Sequence, residues 1–136
     1  MIQGLSHITF IVKDLEKAGH FFQFLFDGEE VYNSKDKTFS LSKERFFLVG
    51  GLWIAIMEGE ELPGRTYNHV AFQVREEDFA VYEARVKALG VDVKLPRSRV
   101  EGEGKSLYFY DYDNHLFEIH TGTLQTRLAR YAQPKE

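Results

Sequence analysis

The sequence predicts an α+β protein made of two β-α-β-β-β modules in tandem, and three observations lead there. Residues 5–12, LSHITFIV, and residues 67–74, YNHVAFQV, each set a histidine in a strand-like stretch, with phenylalanine three places and valine five places after it. The two histidines, His7 and His69, stand 62 residues apart, and Lys13 aligns with Arg75 at the same offset. A helical pattern follows each stretch, and short strands follow each helix in the same order.

Each element has a local cause. From Leu5 to Val12 the chain alternates, with Ile8, Phe10 and Val12 on one face and His7, Thr9 and Ile11 on the other. Asp14 is placed to cap a helix running to about Phe26, with Leu15, Ala18, Phe22 and Leu25 at helical spacing and Asp27-Gly28 as its stop. Strands are expected near Glu30 to Asn33, Phe46 to Val49 and Leu52 to Met57, the last two joined by Gly50-Gly51. In the second half Asn68 to Val74 reads as a strand. Glu76-Glu77-Asp78 opens a helix to Leu89, with Phe79, Tyr82, Val86 and Leu89 on one stripe, and Gly90 ends it. A strand near Val91 to Lys94 leads into a Pro-, Arg- and Gly-rich loop from Leu95 to Lys105. Strands Ser106 to Asp111 and Leu116 to Thr121 meet at the turn Asp113-Asn114, and Thr123 caps a last short helix. The whole chain, 1–136, reads as one domain, with module 1 at about 1–60, module 2 at about 66–122 and the final helix at about 123–132.

Composition narrows the function. With 136 residues, 43% hydrophobic and 28% charged, the chain supports one well-filled core and carries no run of the roughly 20 apolar residues that a membrane helix needs. A net charge of −4 with interspersed signs leaves no basic footprint for nucleic acid. The start, MIQGLSHITF, lacks the pattern of a secretory leader, so a cytoplasmic location is expected. There are no cysteines, so any metal must be held by His, Asp or Glu.

Face parity then selects candidates. A lone histidine on a strand's open face is ordinarily a surface residue. Here, however, His69 shares its face with Ala71 and Gln73, Ser106 with Tyr108 and Tyr110, and Glu118 with His120, while the opposite faces are apolar. If the polar faces converge into a cup, His7, His69 and Glu118 form a two-histidine, one-carboxylate set that leaves coordination positions open. His120 is a rival by parity, and Glu58 a weaker one at its strand's edge. The segment of module 1 matching Glu118, Trp53 to Met57, contains no acid. Thr9, Arg97, Arg99, Lys105, Ser106, Tyr108 and Arg127 form a basic and hydroxyl-bearing set. Among them Arg127, just after the Glu118 strand, is the one placed to fork a phosphonate or carboxylate. Nothing in the spacing distinguishes Glu44 from the other acids, and Phe21, Phe22, Phe24 and Phe26 read as helix and core packing with some surplus for a subunit interface.

The stretches SHITFIVKDL at 6–15, YNHVAF at 67–72 and YFYDYDNHLFEIH at 108–120 resemble the vicinal-oxygen-chelate superfamily. With LSKERFFL, EGEGKS and TGTLQTRL added, the whole chain is similar to its fosfomycin-resistance enzymes, and most closely to the manganese-dependent epoxide hydrolases. The resemblance implies mixed sheets forming a metal-containing cup, with modules paired between the subunits of a homodimer, so that each site is shared. It implies Mn²⁺ on His7, His69 and Glu118, which gives His120 a supporting or structural place. It implies phosphonate contacts from Thr9, Ser106, Tyr108 and Arg127, with Arg97, Arg99 or Lys105 supplying a further cation, a pocket lined by Trp53 and Tyr67, and Glu44 as the general base for water. The related glutathione transferases carry a tyrosine where this chain has Phe46, and a loop lysine where it has Ser98, so water is favoured over a thiol. The implied reaction converts a small phosphonate epoxide to a diol. The alternatives are a thiol transferase, another metal enzyme of the superfamily, and a module that only sequesters the drug.

Overall fold

The computed structural model describes residues 1–94 and 104–134, which form two compact units. The expected loop from Leu95 to Lys105 lies largely outside the described residues, as do Arg97, Ser98 and Arg99. Unit 1 comprises Met1–Arg65 with Asp111–His115, and unit 2 comprises Thr66–Tyr110 with Leu116–Glu136. Among the described residues no helix is long and apolar enough to cross a membrane.

Unit 1 contains β1 (His7–Val12), α1 (Leu15–Phe26), β2 (Glu29–Asn33), β3 (Glu44–Val49) and β4 (Leu52–Glu58). The sheet order is β1-β4-β3-β2, with β1 parallel to β4 and the other pairs antiparallel. Asp14 caps α1 by accepting from the N–H groups of Glu16 and Lys17, each at 3.0 Å. α1 lies on β3 and β4 and stacks Phe22 against Phe10 and Phe47. Phe21, Phe22 and Phe26 are buried, and Phe24 is partly exposed beside His20. Gly50 and Gly51 both have positive φ, as a two-residue hairpin turn between right-twisted strands requires. Three strands run longer than expected. β2 begins at Glu29, β3 begins at Glu44, whose N–H donates to the buried Ser34 hydroxyl and whose carbonyl accepts from Ser34 N–H, and β4 continues to Glu58.

Unit 2 repeats the order with β5 (His69–Gln73), α2 (Phe79–Leu89), β6 (Val93–Lys94), β7 (Ser106–Tyr110) and β8 (Leu116–His120), and adds α3 (Leu124–Tyr131). Its sheet order, β5-β8-β7-β6, again has one parallel pair, β5 with β8. The stretch Glu76–Asp78 is a single 3-10 turn ahead of α2, because Asp78 makes no side-chain cap and α2 starts at buried Phe79. β5, β6, β7 and β8 are each shorter than the sequence pattern, since their end residues lack ladder partners.

The β7–β8 turn belongs to unit 1. Asp113 accepts from Lys13 N–H at 2.9 Å, Asp111 accepts from the N–H groups of Asp113 and His115, and His115 meets the edge of Phe10. Burial raises the Asp113 carboxyl above its ordinary 3.8, and the nearby Asp111 charge adds to this against the bond from Lys13. The folded state therefore favours the protonated acid. The stability linked to that proton is complete below about pH 4 and is lost as pH rises through the raised value. Asp113→Asn keeps the oxygen that accepts from Lys13 and removes the buried charge. Its thermal midpoint, followed by circular dichroism, is expected to exceed that of the unmodified chain at pH 7, with the gap closing toward pH 4. A deficit of equal size at both pH values would show that the buried charge is not the cost.

Candidate metal and anion site

The site in unit 2 is set by strand register. Ala71 of β5 and Tyr108 of β7 both lie opposite Glu118 of β8, while Gln73 and Ser106 lie opposite His120, so these residues share one face with His69. The other face carries Phe72, Phe109, Phe117 and Ile119, stacked into the core. Glu118 is 4% exposed, in the middle of its strand. Such a carboxylate must be bonded at both oxygens to remain buried.

Both oxygens have partners. Oε2 accepts from the Ser106 hydroxyl at 2.5 Å and lies 3.2 Å from His120 Nδ1. Oε1 faces His69 Nε2 at 3.1 Å. His69 Nδ1 lies 2.7 Å from the Tyr67 carbonyl, which can only accept, so Nδ1 carries a proton and Nε2 is the nitrogen left to bind a cation. Two donors at right angles, each about 2.1 Å from one ion, lie about 3 Å apart. The His69–Glu118 pair therefore fits as two adjacent ligands of a divalent metal, with hard oxygen and imidazole donors suited to Mn²⁺, Fe²⁺ or Zn²⁺. Among the described residues no cluster of three or more His, Asp or Glu is in position to hold a metal within the chain.

A cavity of about 290 Å³ opens over this pair, lined by His69, Ala71, Glu118, His120, Leu124 and Arg127. That is near the lower end of the small-molecule range, about 300 Å³. Thr123 caps α3 by accepting from Thr126 N–H at 3.1 Å, which starts the helix so that Arg127 reaches the cavity with its guanidinium 3.4 Å from His120 Nε2. Tyr67 donates to the Tyr108 hydroxyl at 3.0 Å, and both rings pack on His69. Lys105 is directed elsewhere, with its ammonium 3.5 Å from Glu76 and near the Phe79 ring. A larger cavity in unit 1, of about 700 Å³, is lined by mixed charges such as Lys13, Glu16, Lys35 and Arg45 and contains no histidine.

The remaining candidates lie on one face of unit 1. His7 is opposite Trp53, Thr9 is opposite Ala55, and Phe46 and Glu44 lie opposite Ala55 and Met57. His7 stacks on Trp53 at 4.2 Å and has Ser6 Oγ 2.9 Å from Nδ1. Trp53 Nε1 is buried without a hydrogen-bond partner among the described residues. Glu58 lies opposite Val12, so it is turned to the helix-covered face, away from His7. Glu44, which spacing did not distinguish, is 8% exposed and on the His7 face. Its place became visible only when β3 proved to start two residues early. The part of Ser34 in holding Glu44 had no sequence signal.

Superposed by register, the two sheets show what differs between the repeats. Ala55 holds the position that Glu118 holds in unit 2, Phe46 corresponds to Tyr108, and Glu44 corresponds to Ser106. Each unit has a four-stranded sheet with a histidine on its first strand, and the last strand of the second also carries a buried carboxylate. Residues 4–119 match the model of the Glyoxalase/Bleomycin resistance protein/Dioxygenase superfamily, and the chain belongs to that family. Within it, the chain is 64% identical to the fosfomycin resistance protein FosX of Listeria innocua, covering 96% of this chain and 98% of that one. It is 35% identical to the metallothiol transferase FosB of Staphylococcus saprophyticus, over 99% of this chain and 87% of that one. A solved structure of a point mutant of FosX from Listeria monocytogenes, complexed with Mn(II) and 1S,2S-dihydroxypropylphosphonic acid, aligns with a TM-score of 0.88 at 60% identity, over 96% of this chain and 99% of that one.

A close backbone approach lies beside the cavity, at Gly122 of its lining. A Cβ on Gly104, whose φ is +83°, would lie 2.6 Å from the Gly122 nitrogen, next to the α3 cap. Gly104→Ala is expected to cost about 1–3 kcal/mol of stability. Unchanged denaturant unfolding would show that this close approach is not needed.

Proposed function

We propose that this chain is a Mn(II)-dependent hydrolase that opens the epoxide of fosfomycin with water to give the vicinal diol. The observation that carries the reading is the His69 Nε2 to Glu118 Oε1 pair at 3.1 Å, at the base of a cavity that Arg127 also lines. The diol phosphonate bound to the FosX relative with Mn(II) is what water addition to such an epoxide yields, which supports this choice of reaction. His69, Glu118 and His7 would hold the metal. When bound, the metal supplies a Lewis acid for the oxirane oxygen, where alkoxide charge develops.

The chain's own groups do the rest. Arg127 presents a guanidinium to the phosphonate, and Thr9 and Tyr108 offer hydroxyl groups to its oxygens, fixing the ring carbon toward the attacking water, whereas Ser106, expected among them, gives its one proton to Glu118. Of the further cations expected, Lys105 pairs with Glu76, and Arg97 and Arg99 lie outside the described residues. Trp53 and Tyr67 provide apolar walls. Glu44 takes the proton from water. It starts a strand on the same face as His7 and Thr9, and Ser34 holds its backbone.

His7 and Glu44 belong to unit 1, whereas His69 and Glu118 belong to unit 2. The active form in this reading is a cytoplasmic homodimer in which unit 1 of one copy completes the site on unit 2 of the other. Ala55 in the register position of Glu118 supports one metal site per paired set, with three protein ligands and open positions for substrate. The FosB likeness makes thiol transfer the second reading, and Phe46 in place of a tyrosine weighs against it.

Fosfomycin incubated with Mn(II)-loaded protein, with and without thiols, is expected to give the diol in both tubes. A thiol adduct in its place would overturn the reading. Glu44→Gln should lower turnover by about 10²–10⁴-fold with Mn(II) binding retained, and full activity would remove Glu44 as the base. His7→Ala and His69→Ala should each lose Mn(II). When the two variants are mixed and allowed to exchange subunits, up to about a quarter of the sites should return. No recovery would place all three ligands within one chain.

A further inference from the structure

We propose that His120 is a positioning residue that ties the guanidinium of Arg127 to the carboxylate of Glu118 through the Ser106 hydroxyl. The protons along four side chains of unit 2 are distributed in one way. Ser106 has a single hydroxyl proton, and its 2.5 Å contact with the acceptor-only Oε2 of Glu118 uses it. Ser106 Oγ is therefore the acceptor in its 2.8 Å contact with His120 Nδ1, and Nδ1 must carry a proton. That same N–H lies 3.2 Å from Glu118 Oε2. The other ring nitrogen, Nε2, faces Arg127 at 3.4 Å, and a guanidinium can only donate. An imidazole with its proton on Nδ1 and a bare Nε2 suits both of these hydrogen bonds, and the reverse tautomer suits neither.

The chain of donors runs Arg127 to His120 to Ser106 to Glu118. Its direction has consequences at both ends. At the carboxylate, the Ser106 hydroxyl, oriented by the His120 N–H, holds Oε2 and leaves Oε1 directed at His69 Nε2. At the arginine, the imidazole lone pair gives the guanidinium of a long side chain an acceptor and so narrows its rotamers. His120 side-chain exposure is 14%, so the ring is largely covered although it also lines the cavity. The metal and phosphonate roles at the two ends rest on the function proposed above, but the link itself does not.

Two substitutions separate its halves. In His120→Asn the amide nitrogen can replace Nδ1–H toward Ser106 but cannot reach Arg127. In His120→Gln the amide oxygen can replace Nε2 toward Arg127, and the donor at Nδ1 is lost. His120→Asn is expected to keep Mn(II) affinity within about twofold and to raise KM for fosfomycin about tenfold, the effect of one lost bond to a charged group. His120→Gln is expected to weaken Mn(II) binding by about tenfold or more, read by electron paramagnetic resonance of free Mn(II), with KM at saturating metal little changed. Parallel losses in both variants, or no change in either, would overturn the proposal. The ¹H–¹⁵N ring spectrum of metal-free protein decides the link without any activity. Protonated Nδ1 with bare Nε2 is expected, and the reverse tautomer would overturn it. If the unmodified protein neither binds Mn(II) nor turns over fosfomycin, the function fails on that control alone, and the ring spectrum still tests the link.

Discussion

The carboxylate of Glu118 is the constraint around which unit 2 is arranged. A charged group held 4% exposed in the middle of a strand is unfavourable unless each oxygen is bonded. Ser106, diagonally across on β7, donates to Oε2, and His69 on β5 sets Nε2 3.1 Å from Oε1, where a cation would join the two acceptors; parallel pairing of β5 with β8 puts Ala71 directly beside Glu118. Ala71 leaves room above the sheet, and that room is the cavity. A larger residue there would fill the space in which the two ligand atoms meet.

Duplication provided the frame, and divergence at three register positions provided the chemistry. Ala55 against Glu118 leaves one repeat without a carboxylate ligand. Glu44 against Ser106 puts an acid where the other repeat has a hydroxyl, and Phe46 against Tyr108 replaces a polar ring with an apolar one. The helix-covered faces are conservative by contrast, with aromatic and aliphatic residues in both. The physical reason is that a buried face tolerates only changes that keep it packed and apolar, whereas an open face is free to exchange side chains of different chemistry.

Much of this was legible in the residues. Period-two alternation placed β1, β4, β5, β7 and β8, and Asp14, Gly50-Gly51, Gly90 and Thr123 marked their boundaries through chemistry that acts locally. Face parity alone grouped His69, Glu118, His120, Ser106 and Tyr108. Parity failed for Glu44, because its two-residue extension of β3 depends on bonds to the hydroxyl and N–H of Ser34, ten positions away, which no local pattern encodes. It also left His120 and Glu118 as equal candidates for a ligand.

The sequence by itself determined the order of elements, the repeat, the polar and apolar face of each strand and the donor types available for a metal, since all of these follow from side-chain chemistry and local periodicity. The tertiary structure alone decided which candidates touch. It turned Glu58 to the covered face, directed Lys105 to Glu76, brought Ser106 and His120 onto one oxygen of Glu118 and left the other oxygen to His69. Those outcomes depend on register between distant strands and on which atom of each side chain finds a partner, and both are settled only when the whole sheet is paired.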